Sequence, residues 1–289
     1  RFFLDSIHPG NTIIETFVRE IHSINPKINW NDKIVVDVGA ECGDTPVYFA
    51  SMGAKVFAFE PLKKHFEFFK KNMSLNPTLS EKIIPINAAI GKDEQLKFYV
   101  SDNDETGSLS ASFVSNNQGK NFKCELVDGY KLETARKKFS INHIDLLKMD
   151  CKECEFYLTD EDLKDIDRIK LEYTIQNKKF KLDDLLDLLK RNGFKCSIFR
   201  NNPTTRLSNR IGGNIYATKV WGNCFSSNNL LEMYKIYWDN VNSSDMQTEK
   251  IIFWNSGDFI TFLLANSLQK KINGEFYAVY DVTDRQKPL

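Results

Sequence analysis

A few carboxylates and a pair of glycines, spread between residues 37 and 172, carry the chemistry that this chain could perform. The segment Val35-Val36-Asp37-Val38-Gly39-Ala40-Glu41-Cys42-Gly43-Asp44 is an apolar run that ends in Asp-x-Gly-x-x-x-Gly. Such a run predicts a buried parallel strand whose exit loop turns sharply and lets a ligand approach its backbone, which glycine permits without steric cost. One strand later, Ala58-Phe59-Glu60-Pro61 puts a carboxylate where it can accept hydrogen bonds from both ribose hydroxyls of an adenosine. The pair reads as a nucleotide-cofactor pocket. Asp150, Glu155 and Glu172 fall near the ends of later strands, where a carboxylate can take a proton from a bound substrate.

An acid at the end of a second strand could equally hold the ribose of NAD, so the loop must discriminate. The dinucleotide fingerprint Gly-x-Gly-x-x-Gly admits a pyrophosphate. This chain has Gly39-x-x-x-Gly43 with Glu41 between, and a carboxylate there disfavours a pyrophosphate.

The elements that must position these residues alternate. After an amphipathic helix near 11–24, strands are expected at 34–38, 56–59, 83–88, 97–100, 145–149, 168–173, 196–200 and 214–220. Helices are expected at 45–52, 62–75, 132–139 and 181–192, the last ending at Gly193. The alternation predicts an α/β fold, a Rossmann-like doubly wound and mostly parallel sheet with ligands at the carboxyl ends of its strands. Asp37, Glu60, Asn87, Asp150 and Glu172 fall at those ends. The polar stretch 101–122, centred on Gly107-Ser108-Leu109-Ser110, reads as a long polar loop or an irregular hairpin, either substrate-contacting or a disordered insertion.

The ordered set of motifs resembles the FkbM-like family of class I S-adenosylmethionine-dependent methyltransferases. It comprises Val-Val-Asp-Val-Gly-Ala-Glu-Cys-Gly-Asp, Phe59-Glu60-Pro61, Asn87-Ala88-Ala89-Ile90-Gly91, Ile144-Asp145-Leu146-Leu147-Lys148-Met149-Asp150 leading to Glu155, and Ile169-Lys170-Leu171-Glu172-Tyr173. The resemblance spans about residues 12–220. It implies S-adenosylmethionine as cofactor, with Asp37, Gly39, Ala40 and Gly43 around its methionine part, Glu60 on the ribose, and Asn87 and Ala88 beside the adenine. It also implies a hydroxyl acceptor on a sugar, glycan or related small metabolite. The family's usual Glu-Gly is replaced by Lys152-Glu153, and Tyr173-Thr174 stand where a His often follows the last Glu.

Methyl transfer to a hydroxyl requires alignment of the acceptor with the methyl–sulfur bond and a base for its proton. Asp150, Glu155 and Glu172 are the candidates, with Lys148 behind them, and each carboxylate has an alternative as a capping or ion-paired group. Cys151-Lys152-Glu153-Cys154 has the spacing of a redox or zinc half-site, but no second pair answers it and the four histidines form no ligand motif. It reads as thiols packed behind the fourth strand, and no metal is expected. Asn202-Pro203 reads as a turn, and the basic clusters at 136–138 and 178–181 as solvated helix faces.

Lys+Arg and Asp+Glu number 39 each among 289 residues, which removes a global pull toward nucleic acid or anionic membrane. No apolar stretch approaches the roughly 20 residues of a membrane span, and scattered cysteines suit a reducing, cytoplasmic interior. Two domains are expected: a methyltransferase domain over 1–222, and over 223–289 a linker with a C-terminal βαβ extension, either docked or the start of a further α/β domain. Within that extension, strands are expected at 251–254 and 275–281 around a helix at 259–271. Two other functions compete with methyl transfer: an NAD-type oxidoreductase, and a non-catalytic Rossmann-like module of a glycan-assembly protein. Oligomeric state is not legible.

Overall fold

The computed structural model describes residues 1–3, 11–18, 20–22, 28–101, 122–175, 177, 179–200, 211–219, 250–254 and 275–279. In chain order, α1 (Asn11–Phe17) precedes β1 (Ile34–Val38), α2 (Asp44–Ser51), β2 (Lys55–Phe59), α3 (Lys63–Ser74), α4 (Pro77–Ser80) and β3 (Ile83–Ile86). A short β4 (Ala89–Ile90) leads to β5 (Gln95–Ser101), β6 (Phe122–Tyr130) and α5 (Leu132–Lys138). Then come β7 (Leu146–Met149), a 3-10 turn at Cys154–Tyr157, β8 (Arg168–Ile175), α6 (Leu182–Arg191), β9 (Phe194–Arg200) and β10 (Ile211–Lys219). Finally β11 (Lys250–Trp254) pairs in parallel with β12 (Glu275–Val279).

The main sheet runs β3-β2-β1-β7-β8-β10-β9. It is parallel from β3 to β8, while β10 is antiparallel to both of its neighbours. The strand order reverses between β1 and β7, and at such a switch point the flanking loops part to leave a ligand crevice at the carboxyl ends. The expected strand at 97–100 does not join this sheet. As β5 it pairs with β6 and, through β6, with β4 in a separate three-stranded sheet. β6 escapes a pattern reading because its apolar residues do not keep to the buried face: Val127 is inside, while Cys124 and Leu126 are exposed.

Alternation along the central strands sorts their side chains onto two cores. Val35, Val56, Ala58 and Leu146 pack with Trp30 and with Val47 and Phe49 of α2. Val36, Val38, Phe57, Phe59, Leu147, Met149, Ile169 and Leu171 pack with Leu132 and Ala135 of α5 and with Leu185 and Leu189 of α6. α6 forms where leucines recur at helical spacing, with Asp183 and Asp184 in its first turn and Lys190 and Arg191 in its last, each sign suited to the dipole. Gly193 follows with a φ of 82° that ends it.

On the α2 side the apolar pattern is interrupted. In register across the sheet stand Ala58, Asp37, Lys148, Lys170 and Tyr216. Asp37 and Lys170 are wholly buried and Lys148 nearly so. The expected loop between 101 and 122, the Asn202-Pro203 turn, the 223–249 linker and the helix at 259–271 lie outside the described residues. β11 and β12 match the strands expected there.

Candidate functional site

The loop from Gly39 to Asp44 leaves the end of β1 beside the switch point and is closed by its own amides. Gly39 and Ala40 both donate to the carbonyl of Phe59 (2.9 and 3.0 Å), Glu41 donates to Glu60 Oε2 (2.9 Å), and Gly43 donates to the carbonyl of Ala40 (2.7 Å). A pyrophosphate is held by free amides at such a turn, and these four are spent. Carboxylates add to the exclusion: Asp37 stands one residue before the end of β1, Glu41 stands in the loop, and Asp44 opens α2 and accepts the Thr16 hydroxyl. A cationic ligand suits that field.

Packing alone already requires the two glycines. A Cβ on Gly39 (φ 82°) would lie 2.1 Å from the Asp150 carbonyl oxygen, and one on Gly43 (φ 83°) would lie 2.1 Å from the Phe69 ring. The loop after β1 is therefore pressed directly onto the loop after β7. Ala40 is buried beneath it.

Glu60 ends β2 almost fully buried, and burial pushes its carboxyl up to about 7 against the help of two amides. Its Oε1 accepts the Leu62 amide and its Oε2 the Glu41 amide, both at 2.9 Å. A carboxylate has about four lone-pair sites, so two remain for a pair of ligand hydroxyls. Asn87 braces this corner, donating to the carbonyls of Glu60 (2.8 Å) and Pro61 (2.9 Å), while Ala88 is buried behind it.

Lys148 clamps the loop from below. Its Nζ lies 2.9 Å from Asp37 Oδ1 and 3.1 Å from the Gly39 carbonyl. Burial pulls the lysine pKa down, but Asp37 and Asp150 more than offset it and the ammonium is held. Burial raises Asp37 to about 6, with Lys148 opposing, and Asp37 Oδ2 has no hydrogen-bond partner among the described residues. Lys148 is thus spoken for as a cation and is removed from the list of bases.

At the exits of β7 and β8 the carboxylates differ in availability. Glu155 is fully buried, accepts the Thr174 amide at Oε1 (3.0 Å), and is driven by burial to about 8. Glu172 is half-buried and raised to about 7, first by the neighbouring Asp150 and then by burial, with Lys170 opposing. Asn214 of β10 stands opposite Glu172. Asp150 is half-buried and bridges the two halves through its backbone, its amide donating to Val38 (2.9 Å).

Lys170 was missed by motif reasoning. Its ammonium is fully buried without a hydrogen-bond partner among the described residues, and burial lowers its pKa. The signal was present: in Ile169-Lys170-Leu171 a charge interrupts an apolar run, and strands buried on both faces have nowhere to expose it. His22 is also buried near this row, its pKa lowered by burial and by Lys170.

The cysteine reading also needs correction. Cys151 and Cys154 are joined by a disulfide, with Cα atoms 5.4 Å apart, whereas Cys42, Cys124 and Cys196 are free. Four residues suffice to bring the sulfurs together because the turn between them folds back on itself.

A family model described as the methyltransferase FkbM domain matches residues 37–196. No curated protein sequence matches the chain. Solved structures similar to it include an rRNA methylase from Streptococcus thermophilus, at 12% identity and TM-score 0.42, over 76% of this chain and 100% of that one. An S-adenosylmethionine-dependent O-methyltransferase from Thermotoga maritima matches at 15% identity and TM-score 0.36, over 74% and 72%. Magnesium protoporphyrin IX methyltransferase from Synechocystis, solved with S-adenosylmethionine, matches at 14% identity and TM-score 0.34, over 66% and 72%.

Proposed function

This chain belongs to the FkbM methyltransferase family and is an S-adenosylmethionine-dependent methyltransferase, and from that premise we propose that it methylates a hydroxyl of a sugar, glycan or related small metabolite. The cofactor supplies an activated methyl group on a sulfonium. Glu60 takes the ribose hydroxyls on its two remaining lone-pair sites, and the acidic surround of Asp37, Glu41 and Asp44 favours the cationic methionine end. Lys148 keeps Asp37 ionised and in place. Asn87 and Ala88 form the wall beside the adenine.

Glu172 is the base in this reading, and Asp150 is the neighbour that tunes it. The observation that carries the assignment is the half-buried Glu172 carboxyl, raised to about 7 by Asp150 and placed on β8 one residue beyond its last pairing with β7. A base works best with a pKa near the operating pH, and it must be reachable. Glu155 satisfies the first condition, but its burial and its bond to the Thr174 amide make it a positioning residue for the β7 and β8 exits. Asn214, opposite Glu172, orients the acceptor. Residues 1–222 form the methyltransferase domain in this proposal, and 223–289 a linker and a second α/β unit to which the β11–β12 pair belongs.

The test is a screen for S-adenosylhomocysteine release over glycans and small hydroxylated metabolites, repeated with Glu172→Gln. Loss of turnover with unchanged S-adenosylhomocysteine affinity is the expected result. Full turnover in the variant, or an acceptor modified on carbon or nitrogen, overturns the assignment.

A further inference from the structure

The turn between Asp150 and Glu155 holds two non-glycine residues in the left-handed region, Lys152 at φ 51° and Glu153 at φ 83°. Glu153 occupies the position at which the family pattern carries glycine, so this chain places a side chain where backbone geometry favours none. Something must hold the turn in that conformation. One contributor is the Glu153 carboxylate, which accepts the Asn177 amide. The other is the Cys151–Cys154 disulfide, which closes around both strained residues.

We propose that Cys151–Cys154 is a thiol–disulfide exchange site for a small thiol of the glutathione class, and that its oxidised form holds the strained turn that seats Asp150 against the cofactor loop. The coupling is direct. The Asp150 carbonyl lies so close to Gly39 that no Cβ could be placed between them, and the Asp150 amide donates to Val38. A shift of the turn therefore moves the loop that surrounds the cofactor. Cys151 Sγ also lies 3.8 Å from Glu155 Oε2, so the same exchange alters the surroundings of that carboxyl.

Exposure sets the direction of attack. Cys151 is half-buried whereas Cys154 is buried, so the incoming thiolate attacks Cys151 Sγ. The disulfide bond breaks with its electron pair on Cys154 Sγ, which takes up a proton. A second thiol attacks the mixed disulfide, leaves Cys151 as a thiol, and departs as the small-molecule disulfide. Two thiols are oxidised and one disulfide is reduced. Reoxidation by the small-molecule disulfide is the reverse.

The inference rests on the cofactor loop assigned above, and two measurements separate them. Differential alkylation with peptide-resolved mass spectrometry, over a range of reduced to oxidised glutathione, should show Cys151 and Cys154 switching together while Cys42, Cys124 and Cys196 remain thiols. Calorimetry with S-adenosylhomocysteine should show roughly fivefold weaker binding to the reduced protein, the scale of one strained residue no longer held. The double variant Cys151→Ser, Cys154→Ser should bind like the reduced form in any buffer. Adding Glu153→Gly to it should restore the tight affinity, since glycine needs no staple there.

Equal affinity in both redox states, a pair that stays reduced throughout, or no recovery with Glu153→Gly each overturns the proposal and leaves the cofactor site standing. Absence of S-adenosylhomocysteine binding in every state overturns both. Should the double serine variant not fold, chemical reduction of the parent gives the same comparison.

Discussion

The two sides of the crevice solve different problems with the same residue type. Around β1 and β2, most polar groups are tied down: the loop amides are bonded within the fold, Asp37 faces Lys148, and Glu60 accepts two amides. Around the exits of β7 and β8, carboxylates crowd one another, Lys170 has no hydrogen-bond partner among the described residues, and the intervening turn is strained. A binding wall benefits from rigidity because its ligand is always the same. In the reading proposed above the second wall takes the acceptor's proton, which needs a reachable group that titrates near working pH.

The comparison breaks most severely if the clamp shared by both walls is removed. Lys148→Met leaves the Asp37 carboxylate buried and unpaired, and urea unfolding should register a loss of about 3–5 kcal/mol. A destabilisation below about 1 kcal/mol would mean that Asp37 simply takes up a proton.

Gly39→Ala comes next. It combines a positive φ with a contact at 2.1 Å, so a destabilisation of about 2–4 kcal/mol is expected by the same measurement. Gly193→Ala is the control, since it shares the positive φ (82°) but meets nothing within 4 Å. It should cost only about 1 kcal/mol.

The walls then separate functionally. Glu60→Gln should weaken S-adenosylhomocysteine binding by roughly 10- to 100-fold, the worth of charge-assisted hydrogen bonds, whereas Glu172→Gln should leave that affinity within about twofold. Equal effects from the two, measured by calorimetry, would erase the division.

The smallest effects concern pH. Asp37, Glu60, Glu155 and Glu172 are raised to about 6, 7, 8 and 7 from ordinary values of 3.8 and 4.5. At these four carboxyls the folded chain holds protons that the unfolded chain has released, and they outnumber the opposing pair His22 and Lys170, which burial lowers. Stability falls as pH rises from about 4 through the folded values, so the ligand-free urea midpoint should decline between about pH 5.5 and 8. Ligand hydroxyls donate to the ionised Glu60, so S-adenosylhomocysteine affinity should rise as pH passes through about 7. A flat affinity profile would remove Glu60 from the ribose.

How much of this was legible follows from the range of the interactions. The run 35–43 and the carboxylate at Glu60 stood out because strand and turn are contiguous and the acid follows one helix and one strand later. The strands of the main sheet were also visible, as short apolar segments between helices. Their order was not, because the placement of β10 between β8 and β9 depends on pairing across the chain. The partner of Asp37 lies 111 residues away on β7, and nothing local in Leu146-Leu147-Lys148-Met149 announces which acid it meets. The disulfide was legible as a spacing but was discounted, because its significance lies in the φ values of the two residues it encloses. The packing role of the glycines was hidden for a related reason: sequence shows that a side chain is absent, and only packing shows what occupies its place.

The charged row across the main sheet carries a further implication. A strand that slips by one residue against its neighbour turns every side chain to the opposite face. For β7 or β8, such a slip would drive Lys148 or Lys170 into the apolar core built on Val36, Leu147 and Ile169 and away from Asp37. The lysines thus act as keys cut for one alignment: they make near-miss topologies unstable during assembly, a form of proofreading that an all-aliphatic sheet would lack.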